Sequence, residues 1–230
     1  MRVAALADIH GNVHALDAVL SDPRCAGAEL VVVLGDVIAG PFPAETFDRL
    51  AELGERVRLL RGNADRLFLE RDARDRLGAE RAAVVRRWPT TFVVEVDGLG
   101  EVRCCHATPR SDEAVVTSLT PDDAFAAALA GTGERLVVAG HTHVQFDRVL
   151  DGHRFVNVGS VGWPYEGRRG AYWALLGPDV EFVRTEYDVE AAAEAIRAVM
   201  PPDAAARVME LLDPVSPDEA ARKYEELRGA

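Results

Sequence analysis

The sequence predicts a mixed α/β fold, and three features predict it. Apolar runs of β type alternate with helical periodicity over the first third, Asp-Gly turns then join strand-like segments into hairpins, and the chain after Asp188 reads as helix. A β-α-β-α-β order implies parallel strands with crossover helices, whereas hairpins imply antiparallel pairing, so sheets of mixed direction are expected. At 230 residues the chain has the length of one domain. That is enough to bury roughly 70–75% of its unfolded surface.

Residues 3–7 form a buried-strand candidate, after which Asn12 is placed to cap a helix whose Val13, Leu16, Val19 and Leu20 share one face. Residues 30–34 read as a second strand, residues 43–54 as a helix that starts on Pro43 and stops at Gly54, and residues 56–60 as a third strand. A charged helix is expected over 65–87, its arginines paired along one face as in Glu70 with Arg74 or Asp72 with Arg76. Asp97-Gly98 then joins strands 92–96 and 102–105. Thr120-Pro121-Asp122-Asp123 starts a helix that Gly131 ends, 136–139 is a strand, and Asp151-Gly152 turns 144–150 back into 154–158. Strands 171–175 and 181–187 precede the helical tail, where Pro201-Pro202 and Asp213-Pro214 are breaks and Ser216 to Glu219 is a capping box. The alanine-rich stretch 191–206 favours helix.

The formal charge of −12 argues against broad binding to nucleic acid or to an anionic membrane. No stretch is long and apolar enough to cross a bilayer, and Asp8 interrupts the N-terminal apolar run before a signal-peptide core forms. Cys25, Cys104 and Cys105 cannot all pair, and the adjacent two are poorly placed to bridge each other. A soluble cytoplasmic chain with reduced thiols is the expectation.

Five short segments hold the candidate chemistry, each just after an expected strand: Asp8-Ile9-His10, Gly35-Asp36, Gly62-Asn63, His106, and Gly140-His141-Thr142-His143. Taken singly, an Asp or Asn after glycine is a common turn residue, and a lone histidine is often part of a core. Together they lie where ligands gather in α/β sheets, beyond the carboxyl ends of the strands. Four histidines, two aspartates and an asparagine mix nitrogen and oxygen donors, a set suited to Zn, Mn or Fe and poorly suited to Ca. Two such ions close together suit phosphate-ester hydrolysis.

The order D-x-H, G-D, G-N, H and G-H-x-H across residues 8–143 resembles the calcineurin-like metallophosphoesterase superfamily. The opening D-I-H-G-N, Asp8 to Asn12, is most similar to its compact bacterial and archaeal phosphodiesterase branch. The resemblance implies a four-layer αββα sandwich of two mixed sheets, with residues 1–187 as the phosphoesterase domain and 188–230 as a helical extension. It implies that Asp8, His10 and His143 hold one divalent ion, that Asn63, His106 and His141 hold a second, and that Asp36 bridges them. Manganese is favoured among Mn, Fe, Zn and Ni. A metal-bridging hydroxide would attack a small phosphorylated substrate, with phosphodiesters or nucleotides favoured, and Asp36, Asn63 and His106 would be the catalytic core. Many members carry a proton-donating histidine directly after G-N, where this chain has Ala64 and then Asp65.

Around these segments, Asn12 reads as a cap, His14 as a helix-surface residue, and Arg110 as either a phosphate clamp or a loop arginine. His14 or Asp65 would restore a proton donor only if the fold aimed one at the leaving group. The glycine-rich stretch Asn157 to Gly162 is a candidate for backbone contact with substrate. Two other readings compete: a catalytically weak scaffold of the same fold acting through protein partners, and an amidohydrolase barrel. The barrel would place H-x-H first and repeat βα units, whereas here H-x-H comes last and hairpins follow.

Overall fold

The computed structural model describes residues 1–71, 73–201 and 208–228. Val3–Leu6 (β1), Leu30–Leu34 (β2) and Val57–Leu60 (β3) pair in parallel, as the crossover helices Val13–Ser21 (α1) and Pro43–Ala51 (α3) require. Pro23–Ala26 (α2) is a single extra turn before β2. Two later strands, Ala171–Leu176 (β9) and Val180–Thr185 (β10), return to the free side of β1 antiparallel and complete a sheet of order β10-β9-β1-β2-β3.

The second sheet has the order β4-β5-β6-β8-β7 and is built from Thr91–Val96 (β4), Gly100–Cys105 (β5), Leu136–Ala139 (β6), Gln145–Leu150 (β7) and His153–Val158 (β8). Both expected hairpins are present, the first through three residues, Asp97-Gly98-Leu99, and the second through two. At Asp151-Gly152 both residues have positive φ, 50° and 82°, which matches the right-handed twist of the flanking strands.

Period-two alternation sorts the strand residues into layers. Val3, Ala5, Val32 and Leu34 of the first sheet meet Val94, Val102, Cys104, Val138 and Val156 of the second in a core between the sheets. Their neighbours Ala4, Leu6, Val31 and Val33 face outward onto Leu16, Val19, Leu50 and Phe68 of the helices. On the far side, Cys105, Val137, Ala139 and Phe155 pack against Phe125 and Leu129 of Asp122–Leu129 (α7). Helix, sheet, sheet and helix form the expected αββα sandwich, and an eight-fold βα barrel is ruled out. All three cysteines are free and buried, and Cys104 and Cys105 point to opposite faces of β5.

The charged segment departs from expectation. Instead of one helix over 65–87, the helical residues Asn63–Arg71 (α4) and Ala73–Arg76 (α5), either side of residue 72, are separated from Ala79–Val85 (α6). Leu77 drops into the core and Gly78 turns the chain with φ 87°, so a continuous helix is interrupted. Arg66 pairs with Asp112 and Glu113, Arg81 with Asp48, and Arg76 donates to the carbonyls of Gly40 and Pro41, so these side chains tie the segment to other elements. The expected Glu70–Arg74 and Asp72–Arg76 pairs fall on side chains outside the described residues. In the tail, Val189–Val199 (α8) is capped by Asp188. Most of the later part of the alanine-rich stretch, from residue 202, also lies outside the described residues. Short helix Met209–Leu212 and terminal helix Pro217–Arg228 follow, and Ser216 Oγ accepts from Glu219 N as the capping box predicts.

Candidate metal centre

The seven candidate residues leave the carboxyl ends of five strands: Asp8 and His10 after β1, Asp36 after β2, Asn63 after β3, His106 after β5, and His141 and His143 after β6. β1, β2 and β3 run parallel in one sheet and β5 and β6 run parallel in the other, so these loops converge at one end of the sandwich. Among the described residues six non-glycine positions have positive φ, and Asp8, His10, Asp36, His141 and His143 are five of them. Asp and His tolerate the left-handed region better than most residues, yet each such position costs of order 1 kcal/mol. The neighbouring glycines are set by close approach. A Cβ at Gly62 would lie 2.2 Å from Asp36 Oδ1, and one at Gly140 would lie 2.5 Å from Asp8 Oδ2.

Backbone carbonyls orient three of the imidazoles. Nδ1 of His10 faces Ala39 O at 3.3 Å, Nδ1 of His106 faces Leu34 O at 2.8 Å, and Nδ1 of His143 faces Trp163 O at 2.6 Å. A carbonyl only accepts, so each Nδ1 carries a proton and each Nε2 is directed into the site. The Nε2 atoms of His10 and His143 face each other at 3.1 Å, and Asp8 Oδ1 stands 4.0 and 3.5 Å from them. Asp8 Oδ2 accepts from His141 N at 2.8 Å, but the buried Oδ1 has no hydrogen-bond partner. Two nitrogen donors and an unsatisfied carboxylate oxygen around one point form a place that a divalent cation fits, and the nitrogen–oxygen mixture matches a transition metal or Zn.

The second half of the cluster is centred on Asp36. Its Oδ1 accepts from Ala64 N at 2.8 Å, while Oδ2 lies 3.4 Å from His106 Nε2 and 3.8 Å from His10 Nε2, between the two sets of imidazoles. His106 Nε2 also meets Asn63 Oδ1 at 2.9 Å. Potential ligand atoms gather tightly as Asp8, His10, His143 and as Asp8, Asp36, His106, and His141 joins by ring contact with His106 at 5.0 Å.

Charge in the cluster is polarised. Burial raises the Asp8 carboxyl well above the usual carboxylate range. Burial pushes Asp36 the same way, but His106 outweighs it and holds Asp36 below that range. Burial would depress His106, yet Asp36 raises it to about 10. Burial and His106 lower His141 to about 4, and burial and His10 lower His143 well below its ordinary value. These two therefore present neutral nitrogen donors at neutral pH, the form a metal needs.

Other sequence candidates lie elsewhere. Asn12 is the helix cap, accepting from Ala15 N and donating to Gly162 O at 3.0 Å, and His14 is exposed against Phe42. Asp65 is buried and braces the loops: its Oδ1 accepts from Val37 N and Ile38 N, and its Oδ2 from Gly62 N. Neither His14 nor Asp65 is therefore aimed at a leaving group. Arg110 donates to Ala127 O on α7, as a loop arginine rather than a clamp. In the glycine-rich stretch, Val161 N and Gly162 N are engaged with Ala7 O and Asp8 O, and Ser160 Oγ donates to Asp8 O, so it supports the first loop from behind.

Sequence reasoning missed two aromatic supports. Tyr165 stacks on His143 with centroids 5.1 Å apart, and Tyr224, from the tail, donates to His141 O at 3.3 Å with its ring 6.2 Å from the imidazole. No signal marks Tyr224, whereas the bracing by Asp65 is legible as a third-position helix residue reaching back to the start of its helix.

Residues 1–177 match the calcineurin-like phosphoesterase superfamily domain. The chain belongs to that superfamily. An uncharacterised protein of Methanocaldococcus jannaschii, MJ0912, is 27% identical over 229 residues, covering 84% of this chain and 91% of its own. The Escherichia coli phosphodiesterase YfcE is 35% identical over 74 residues, which is 28% of this chain and 40% of YfcE. The crystal structure of a metallophosphoesterase from Sphaerobacter thermophilus shares the fold, with a TM-score of 0.71 over 91% of this chain and 98% of its own at 24% identity. Calcineurin-like phosphoesterases work with divalent metal ions, and the cluster supplies candidate ligands for them. Among the described residues no helix is long and apolar enough to cross a membrane.

Proposed function

We infer that this phosphoesterase hydrolyses phosphodiesters or nucleotide-type esters at a site holding two divalent ions, with manganese the favoured metal. The observation that carries the reading is the unsatisfied Asp8 Oδ1 facing the paired Nε2 atoms of His10 and His143, beside an Asp36 flanked by His10 and His106. In this reading Asp8, His10 and His143 would hold one ion, Asn63, His106 and His141 would hold the other, and Asp36 would serve both. The ions would supply Lewis-acid polarisation of the phosphoryl group and a water acidified to near neutral pH. Asp36 would orient that water for attack. As the new P–O bond forms from water, the bond to the leaving oxygen breaks, and the water proton ends on the departing alcohol. Ala64 offers no proton for that transfer. The leaving group must then be weakly basic, which favours aryl esters and anhydrides over alkyl esters.

Residues 188–230 act in this reading as an extension of the same domain. Tyr224 reaches His141, and Trp163 beside the site packs with Val189, Ile196 and Leu211. The test is turnover of bis(nitrophenyl) phosphate by purified protein supplied with Mn, against the same protein dialysed with a chelator. Metal-dependent hydrolysis is expected. Equal rates with and without the chelator would overturn the reading.

A further inference from the structure

Next to the metal centre is a cavity of about 130 Å³ walled by Tyr165, Val215, Ala220, Tyr224 and Leu227. Two of its walls are the rings that support the metal centre: Tyr165 stacks on His143 and Tyr224 lies against His141. Glu210 fixes one of them by accepting from Tyr165 OH and from Trp163 Nε1. The remaining lining comes from the tail, which contributes none of the candidate ligands. The cavity's size is close to the roughly 150 Å³ apolar cavity that accepts benzene, a volume that suits one planar ring. Lys223, the chain's sole lysine, and the Glu210 carboxylate also line the cavity, so its two charged groups are of opposite sign.

We propose that this cavity is the subsite for a planar aromatic group, such as a nucleobase, on the non-leaving arm of the phosphodiester. The proposal rests on the phosphodiesterase reading above and adds what the metals do not recognise. A phosphoryl group at the metal centre and a ring one tyrosine away belong to one molecule of nucleotide size. Tyr165 and Tyr224 line the cavity with aromatic surface, and Val215 and Leu227 add apolar surface for the ring to cover.

Two esters with the same leaving group provide the test: thymidine nitrophenyl phosphate and methyl nitrophenyl phosphate, supplied to the Mn-loaded full chain. Stacking of one base predicts a KM about tenfold lower for the thymidine ester. Val215→Trp fills the cavity and the exposed Leu227→Gln makes its wall polar without adding charge; each should erase that advantage while leaving the methyl ester's kinetics unchanged. Calorimetry with thymidine monophosphate should show the same loss of affinity in both variants. Equal KM values for the two esters in the parent, or variants that change both esters alike, would overturn the subsite. Hydrolysis of the methyl ester with no preference would leave the phosphodiesterase reading intact. If neither ester is hydrolysed, cavity-dependent binding of thymidine monophosphate upholds the subsite, and binding indifferent to both variants overturns it.

Discussion

Asp36 is the most demanding single position, because it is left-handed, buried, and flanked by His10 on one side and His106 on the other. Asp36→Asn should lower diester turnover by more than the roughly 10–100-fold that follows loss of a ligand's supporting partner. Steady-state kinetics at saturating Mn measures it, and parental turnover in the variant would refute the bridge. Ala64 is testable in the opposite direction. Its amide donates to Asp36, so a side chain introduced there starts beside the proposed bridge. Ala64→His should raise hydrolysis of alkyl monoesters, toward the roughly 10²–10⁴-fold that a positioned acid supplies, and change aryl diesters far less. A third residue tests electrostatics away from the metals. Burial raises Glu166 to about 7, although Gln145 N donates to it. Between the ordinary glutamate value and 7 the folded state binds more protons than the unfolded state, so stability falls as pH rises through that window. Glu166→Gln removes the penalty. Thermal melts should show no gain near pH 4 and a gain on the order of 2 kcal/mol at pH 8; a gain independent of pH would contradict the burial argument.

At the scale of elements, the strands and their loops were legible because each layer imposes a period. Residues 30–34 are apolar throughout because β2 is buried on both faces, and each ligand follows a strand because parallel strands open at one end. The turns at Asp97-Gly98 and Asp151-Gly152 carried their own signal. The charged segment was misread as one helix, because pairing along a face looks the same in sequence whether arginines meet neighbours or distant carboxylates. Nor did local pattern reveal that β9 and β10 join β1, since that pairing is fixed only by tertiary contact. The tail was the least legible element: nothing in Tyr224 or Glu225 announces a contact more than 80 residues away. Glu225 accepts from Thr117 at 2.7 Å and from Thr120, pinning the terminal helix over the loop after β5. Glu225→Ala should cost about 1–3 kcal/mol by leaving those hydroxyls without their acceptor. It should also raise hydrogen exchange across the terminal helix, and an unchanged exchange pattern would show that the helix is held by packing alone.

For the whole molecule, the candidate ligands were readable as a set while their geometry was not. Spacing identified Asp8, His10, Asp36, Asn63, His106, His141 and His143, but the carbonyls that fix each imidazole come from Ala39, Leu34 and Trp163, positions with no sequence mark. The fold brings strand ends from two sheets to one point and holds five residues there in left-handed conformations. Bound metal should offset that strain, so metal should raise the melting temperature and chelation should lower it. The central claim is that this convergence holds two divalent ions that turn over a phosphodiester. The most direct measurement is elemental analysis of metal per chain, made on the same samples as diester turnover, for the parent and for Asp36→Asn across a Mn titration. The account predicts turnover that rises only as the parent approaches two ions per chain, with both occupancy and turnover depressed in the variant; full turnover by metal-stripped parent protein would contradict it.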